Sequence, residues 1–387
     1  ARAIEDRLSD ALHDRITQRF VDRRSAFLVK QLASEKDLLA SVSHTGDVKV
    51  EGHYVGRLDG FRFLPDEQAA GGETKTLLAA ANRVLRGEIA VRARRLAAAP
   101  DSEFALTPLG CVTWHGGTVG RLSRGDSALL PRVEPLPGDF LEGDLRDGVR
   151  RRLASFVRDA LRHGLAPLFR ARDATLAPAA RGLAFQLTEA LGSLPAGATT
   201  EQRAALVPAD RRALARLGVR FGTESVYIEA LLKPRPAGLR ALLWALWTGA
   251  APPAVPAELA ATRDAMISEE AYGAIGYRVL GPRVLRIDRV ERLAALARRL
   301  ARQGPFGAAP ELAMLAGCPV DALPSVLPAL GYRAVLAEDG SVTFHARPHR
   351  GGKRSRSRSE RRRGRRGGTE KDMDSPFAKL RELRLAR

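Results

Sequence analysis

The sequence predicts an α+β protein that is mainly helical and contains several small antiparallel strand pairs. It further predicts a winged-helix-like module near the C-terminus, followed by a disordered basic tail. Three observations lead to this fold class. Long stretches carry apolar residues at helical spacing, shorter glycine-punctuated stretches carry them at every second position, and Lys and Arg are concentrated near the C-terminus.

The chain of 387 residues is long enough for two or three domains, and the pattern divides it into six segments. Ile4, Leu8 and Leu12 begin an amphipathic helical stripe. Because the chain begins with Ala and opens directly in this charged helix, we expect either a fragment of a longer chain or a trimmed one. The expected segments are a helical segment (1–45), duplicated strand-pair-plus-helix units (46–175), a hub of helices and strand pairs (176–287), the winged-helix-like module (288–346), the basic tail (347–374) and a short C-terminal helix (375–387).

The duplication within residues 46–175 is predicted from a repeated pattern. Apolar and polar residues alternate over 47–63 and again over 106–130, and a helix is predicted after each stretch, at 74–99 and 145–165. The tetrapeptide Val-Gly-Arg-Leu at 55–58 recurs at 119–122, which is 119 − 55 = 64 residues later. Because short matches also arise by chance, duplication and coincidence both stay open.

The hub contains the most cationic folded stretch, Arg211–Trp247. Helices are predicted at 178–194, 200–217 and 256–272, a Lys-Pro-Arg-Pro turn at 233–236, an aromatic helix after that turn, and a strand pair at 277–287. The cationic side chains, Arg216 and Arg240 among them, are predicted to form a rim around an apolar core. Such a rim suits a phosphate backbone better than a small-molecule pocket. The residues expected to bind nucleic acid on this folded surface are Arg211, Arg212, Arg220, Lys233 and Arg235.

The charge of the chain also indicates binding to a phosphate backbone, with one alternative. The formal net charge is +19, and residues 347–372 alone carry twelve Lys or Arg against three Asp or Glu. The phosphate-binding residues expected in this tail are Lys353, Arg354, Arg356, Arg358, Arg361, Arg362, Arg363, Arg365 and Arg366. Such a tail binds phosphates without sequence preference, although a solvated tail that only confers solubility is the alternative. Arg also greatly outnumbers Lys, as a GC-rich genome would produce by default.

The segment 288–346 predicts three helices and a two-stranded wing, the order of a winged helix. Its third helix contains Pro324 and Pro328 and no Lys or Arg. We therefore expect this module to pack or to bind a protein partner, with nucleic-acid contact as the alternative. Beyond the tail, Phe377, Leu380 and Leu383 form a short apolar face that we expect to dock on a partner, with a frayed chain end as the alternative.

We find no catalytic or metal-binding constellation in the sequence. The Gly71–Thr76 stretch lacks the glycine that a phosphate loop places before its lysine, and the acidic residues after Pro65 lack such a loop to work with. Cys111 and His115 provide only half of a zinc site. Trp114, Trp244 and Trp247 can stack on bases, but the apolar neighbours of Trp244 and Trp247 favour the core for these two. The two cysteines and the proline-interrupted apolar run at 239–261 predict a reduced, cytoplasmic protein without a membrane span.

Several stretches together resemble one known family over most of residues 10–385. These stretches are LARLGVRFGTESVYIEALLKP with ARGLAFQLTEALG before it and LRALLWALW after it, and also ITQRFVDRRSAFLVKQL, VEGHYVGRLDGFRFLPD, GYRVLGPRVLRIDRVERLA and DSPFAKL. They resemble the C-terminal half of the alphaproteobacterial superfamily-two helicases that are related to the mitochondrial RNA-degradosome helicase.

This resemblance implies an ATP-dependent RNA helicase whose motor domains precede this region. ATP and Mg²⁺ are implied for that motor, whereas no cofactor and no catalytic residue of the family is expected in this chain. The chain is then expected to hold single-stranded RNA and to contact its own helicase core. The alternative is a non-catalytic scaffold that recruits a nuclease or a ribosomal partner.

Overall fold

The computed structural model describes residues 15, 40–43, 46–50, 53–66, 74–138, 140–336 and 341–346, which belong to a unit that ends at Ala346. Within these residues the fold is mixed α/β, with several small antiparallel sheets between the helices. The predicted N-terminal helix apart from Arg15, the basic tail and the C-terminal helix lie outside the described residues.

The first part of the described chain contains two four-stranded antiparallel sheets, each of which is followed by a helix. The strands of each sheet pair in sequence order. The first sheet and its helix are β1 (Ala40–Val42), β2 (Asp47–Val50), β3 (His53–Asp59), β4 (Arg62–Pro65) and α1 (Thr74–Ala98). The second set is β5 (Phe104–Leu106), β6 (Cys111–Trp114), β7 (Gly117–Ser127), β8 (Leu130–Pro135) and α2 (Gly143–Gly164).

The two sheets repeat one turn at the offset that the sequence repeat has. Ser43 and Thr107, which are 107 − 43 = 64 residues apart, each accept a 3.0 Å hydrogen bond through the side-chain hydroxyl from the backbone N–H four residues later. Gly46 and Gly110 have φ of +89° and +77°, a conformation that favours glycine. Each glycine carbonyl accepts a 2.7 Å hydrogen bond from the backbone N–H twelve residues further along. Duplication of one ancestral unit stays a prediction.

The hub surrounds a three-stranded antiparallel sheet with the order β10-β11-β9. The helix α3 (Ala166–Asp173) precedes the hub. The first elements of the hub are α4 (Pro178–Glu189), β9 (Ser193–Pro195), α5 (Thr200–Ala205), α6 (Pro208–Arg216), β10 (Val219–Phe221), β11 (Ser225–Ile228), a 3-10 turn (Glu229–Leu232) and α7 (Pro234–Thr248). Two predicted helices were too long. The helix expected over 178–194 ends at Glu189, and the positive φ of Leu191 and Gly192 turns the chain into β9. The helix expected over 200–217 is interrupted before Pro208, which lacks a backbone N–H and starts α6.

A second small sheet within the hub has the order β12-β14-β13. Its elements are β12 (Ala260–Thr262), α8 (Glu269–Ala274), β13 (Tyr277–Leu280) and β14 (Arg283–Arg286). The helix predicted over 256–272 was wrong, because residues 260–262 pair with β14 instead. Helical structure begins only after Ser268, whose hydroxyl caps α8 by accepting a 3.1 Å hydrogen bond from the backbone N–H of Ala271. The strand pair that turns at Gly281 was predicted correctly.

The last described segment contains helices and one three-stranded sheet with the order β15-β17-β16. Its elements are α9 (Ile287–Ala301), β15 (Phe306–Gly307), α10 (Pro310–Ala316), a 3-10 turn (Val320–Ala322), α11 (Leu323–Val326), a 3-10 turn (Leu327–Leu330), β16 (Tyr332–Leu336) and β17 (Val342–Ala346). The sequence predicted this order apart from β15. None of the described helices is by itself long and apolar enough to cross a membrane, and one bent pair, Pro310–Ala316 with Val320–Leu330, passes that test when taken together.

Candidate nucleic-acid interface

Two of the predicted RNA-binding residues, Arg211 and Arg212, lie exposed on α6. The helix begins with Pro208, and the carboxylate of Asp210 accepts a 3.2 Å hydrogen bond from the backbone N–H of Val207, which satisfies a free N–H group at this end. Arg211 donates to the carbonyl of Arg203 at 2.8 Å. Neither guanidinium group forms an ion pair with a carboxylate among the described residues, so both charges are available to a ligand.

Arg220 also lies at the surface, on β10, but its charge is partly compensated. Its Nε donates to Glu229 at 2.8 Å, and both side chains are 58% exposed. A surface pair of this kind is worth between about 0 and 1 kcal/mol, so a phosphate can replace the carboxylate at little cost.

Lys233 and Arg235 lie exposed where α7 begins. The sequence predicted a turn at 233–236, but the helix starts at Pro234, so both cations lie at its N-terminal end. The helix dipole makes this end of α7 electropositive, and its repulsion of the two cationic side chains is locally unfavourable. An anion bound here therefore meets two side chains and a helix end that all attract it.

Arg240 does not belong to the cationic rim that the sequence predicted. It lies on the buried side of α7 and has no exposed surface. Burial lowers the pKa of its guanidinium group to about 9. Nη1 donates to the carbonyl of Leu231 at 3.3 Å and Nη2 donates to Oγ of Ser193 at 2.6 Å, whereas Nε has no hydrogen-bond partner. Arg240 is therefore a structural residue that ties α7 to β9 and to the 3-10 turn.

The turn between β10 and β11 holds a carboxylate from α9, a feature that the sequence did not indicate. Glu291 accepts hydrogen bonds from the backbone N–H groups of Thr223, Glu224 and Ser225 at 2.7–2.9 Å, and from the hydroxyl of Thr223 at 3.1 Å. A Cβ added to Gly222 would lie 2.2 Å from this carboxylate, so the glycine makes room for it. The nest of amides fixes α9 against the hub.

A cleft of about 960 Å³ opens on another part of the hub, and Trp244 and Trp247 line it. Both side chains are partly buried and also pack against the main core, whereas Trp114 is fully buried and donates through Nε1 to Glu103 at 3.0 Å. The guanidinium group of Arg124 lies 4.2 Å from the ring centre of Trp247. The interpretation of Trp244 and Trp247 as core residues is therefore incomplete, because both also reach a surface.

The charges of this cleft do not favour a phosphate backbone. Glu189, Glu269 and Glu270 line it together with only two arginines. Both arginines are compensated, because Arg263 pairs with Glu269 at 3.5 Å and Arg278 pairs with Glu224 at 2.7 Å. The exposed cations on α6 and at the start of α7 are thus the better candidates for contact with RNA.

Comparison with known proteins gave no match to a family model, a curated protein or a solved structure. The interpretation of the interface therefore depends on the chemistry of its residues. Among the described residues, no three His, Cys, Asp or Glu side chains are grouped as a metal ion would require. His115 instead pairs with Glu103 at 2.9 Å, and Cys111 is a free thiol.

The other predicted binding residues lie outside the described part of the chain. They are the tail cations Lys353, Arg354, Arg356, Arg358, Arg361, Arg362, Arg363, Arg365 and Arg366, and the docking residues Phe377, Leu380 and Leu383.

Proposed function

We propose that this chain binds single-stranded RNA through its phosphate backbone, without sequence preference. In this proposal it is the accessory C-terminal region of a cytoplasmic ATP-dependent RNA helicase, whose motor would bind ATP and Mg²⁺ elsewhere in the protein. The observation that carries the RNA-binding proposal is a set of exposed cations that form no ion pair with a described carboxylate, namely Arg211, Arg212, Lys233 and Arg235. The helicase context comes from the sequence resemblance alone.

Physical chemistry supports phosphate as the ligand of these cations. Guanidinium groups form two parallel hydrogen bonds to a phosphate, and the start of α7 adds a positive helix end. A single strand that contacts them releases counterions, so the affinity should fall steeply with salt. The tail cations would add further contacts of the same kind.

The test is a titration of the full chain with fluorescent single-stranded oligouridylate over a series of salt concentrations. We expect Arg211→Gln/Arg212→Gln and Lys233→Gln/Arg235→Gln each to weaken binding and to flatten its salt dependence. The matched control is Arg94→Gln/Arg95→Gln, since both arginines are exposed on α1 and neither is among the predicted RNA-binding residues. Equal loss of affinity in all three variants would show that net charge alone drives binding. Hydrolysis of ATP by the purified chain would contradict its accessory role.

We further propose that residues 287–346 form a winged helix. The order helix, strand, two helical segments and two strands supports it, and so does the position of the last strand, β17, between β15 and β16.

The second candidate function is a scaffold that binds a nuclease or a ribosomal partner. The observation that favours it is exposed apolar surface on the winged module, where Met314 is 67% exposed and Leu336 is 72% exposed. Met314→Ser/Leu336→Ser should then lose a co-purifying protein and keep its RNA affinity. If the same variant loses RNA affinity and no protein, the scaffold proposal fails.

A further inference from the structure

The outer face of α9 carries cations that the sequence did not single out. Arg298 and Arg302 are one helical turn apart, Arg299 lies beside them, and both Arg299 and Arg302 are exposed. A groove of about 520 Å³ runs along this face and is lined by Ala295, Arg298, Ala301, Arg302, Tyr332 and Ala346. No carboxylate among the described residues lines this groove.

A chain of contacts connects this face to the surface of α6. The guanidinium group of Arg211 lies 5.9 Å from the ring centre of Phe221, the last residue of β10. Thr223 follows in the β10–β11 turn, and its hydroxyl accepts a hydrogen bond from Nη2 of Arg298. The cations of α6 and those of α9 are therefore adjacent across one short turn.

The carboxylates at this junction are already engaged by other groups. Glu224 pairs with Arg278 at 2.7 Å, and Glu291 is held by the amide nest of the turn. A phosphate that crosses the junction therefore meets guanidinium groups on both sides, while the two negative charges between them are compensated by their own donors.

We infer that the phosphate backbone of single-stranded RNA follows a basic track formed by Arg211, Arg212, Arg298, Arg299 and Arg302, so that the winged module binds RNA through α9. This inference depends on the proposed RNA binding and adds to it a second contact region. The third helical segment of the module, residues 323–330, carries no Lys or Arg and lies outside the track. The arginines suit this ligand because their planar groups recognise phosphate oxygens in pairs.

The test compares three arginine pairs in the full chain by titration with single-stranded oligouridylate at several salt concentrations. Arg299→Gln/Arg302→Gln should weaken binding as Arg211→Gln/Arg212→Gln does. It should also reduce the salt slope by about 1.4, since each phosphate of a single strand that is no longer neutralised lowers the slope by about 0.7. Arg94→Gln/Arg95→Gln should retain the full slope, and Arg299→Lys/Arg302→Lys, which keeps both cations, should recover most of the affinity.

Crosslinking of the unsubstituted chain gives an independent result if the glutamine pair does not fold. RNA that contains 4-thiouridine should crosslink to peptides from α9 as well as from α6. The inference would be overturned, and the proposed function would stand, if the folded Arg299→Gln/Arg302→Gln variant bound RNA with wild-type affinity. Crosslinks confined to α6 would have the same meaning. Absence of RNA binding by the unsubstituted chain would refute both.

Discussion

The cleft beside Trp244 and the basic track both contain arginines, but they differ in how the guanidinium charges are compensated. Around the cleft, Arg263 and Arg278 each pair with a glutamate, and the nearby Arg240 is buried with polar partners. Along the track, Arg211 and Arg299 form no ion pair with a described carboxylate. One side chain type thus stabilises the fold in one region and remains available for a ligand in the other.

This difference gives a criterion that residue counts do not provide. Arginine is frequent throughout the chain, so its density does not mark a binding surface. A guanidinium group that is paired with a carboxylate within the fold adds little net charge for phosphate binding, whereas an exposed one without a carboxylate partner adds a full charge. Substitutions around the cleft should therefore change stability, and substitutions on the track should change RNA affinity.

The largest effect on stability is expected from Arg240→Ala. The substitution leaves a cavity in α7 and removes the donor to the carbonyl of Leu231, so we expect the free energy of unfolding to fall by about 3 kcal/mol. Arg240→Met fills most of the volume without a buried charge and should be close to wild type or more stable. Urea unfolding measures both changes.

An equal loss in the free energy of unfolding for Arg240→Ala and Arg240→Met would mean that the charge of Arg240, and not its packing, stabilises the hub. RNA affinity at a temperature where each variant is folded should equal that of the wild type. A selective loss of affinity in folded Arg240→Met would remove the distinction between the two arginine populations.

The next largest effect is expected at the junction of the track. Glu291→Ala leaves the amide donors of residues 223–225 without their acceptor, and we expect a loss of about 2 kcal/mol in the free energy of unfolding. Gly222→Ala should cost a similar amount because the new Cβ displaces the same carboxylate. The double variant should lose much less free energy of unfolding than the sum of the losses in the two single variants.

Glu311→Ala is the control for this cycle, because Glu311 is exposed on α10 and should change stability little. Strict additivity of Gly222→Ala and Glu291→Ala would show that the two residues act independently, contrary to the geometry of the turn.

The sequence predicted most elements because their signals are local. Alternating apolar residues and glycines predicted the two sheets, and Ser43 and Thr107 show how closely the geometry of the two units agrees. The errors also have local causes. Pro208 divides a helix that the apolar pattern alone continues, and Leu191 adopts a positive φ that its residue type disfavours.

The candidate site was less predictable because it depends on contacts between distant residues. Glu291 and Gly222 are 291 − 222 = 69 residues apart, and neither residue type indicates the other. The sequence predicted Arg240 to be one of the cations of the rim, and only the packing of α7 buries it. Arg298 is connected to the candidate site by its hydrogen bond to Thr223, and no sequence pattern within α9 indicates this contact.

The smallest effect is expected from the ion pair at the start of α9, where an arginine is again engaged within the fold. Arg286 donates to both carboxylate oxygens of Asp288, at 2.7 and 2.8 Å. Burial raises the pKa of Asp288, but the hydrogen bonds and the charge of Arg286 outweigh it, and the net shift is downward. The pair thus stabilises the fold fully above about pH 4, the usual pKa of an aspartate in the unfolded chain.

As the pH falls below that value, the unfolded state takes up a proton first, and the stabilisation is lost through the lower pKa of the folded state. Asp288→Asn should therefore reduce the free energy of unfolding by about 1 kcal/mol at neutral pH and make the decline between pH 5 and 3 shallower. Asp147→Asn is the control, since its pair with Arg150 is more than half exposed on both sides. The measurement is the midpoint of urea unfolding at several pH values across this range. If the midpoint depends on pH in the same way for Asp288→Asn and for the wild type, Arg286 is not held by this carboxylate.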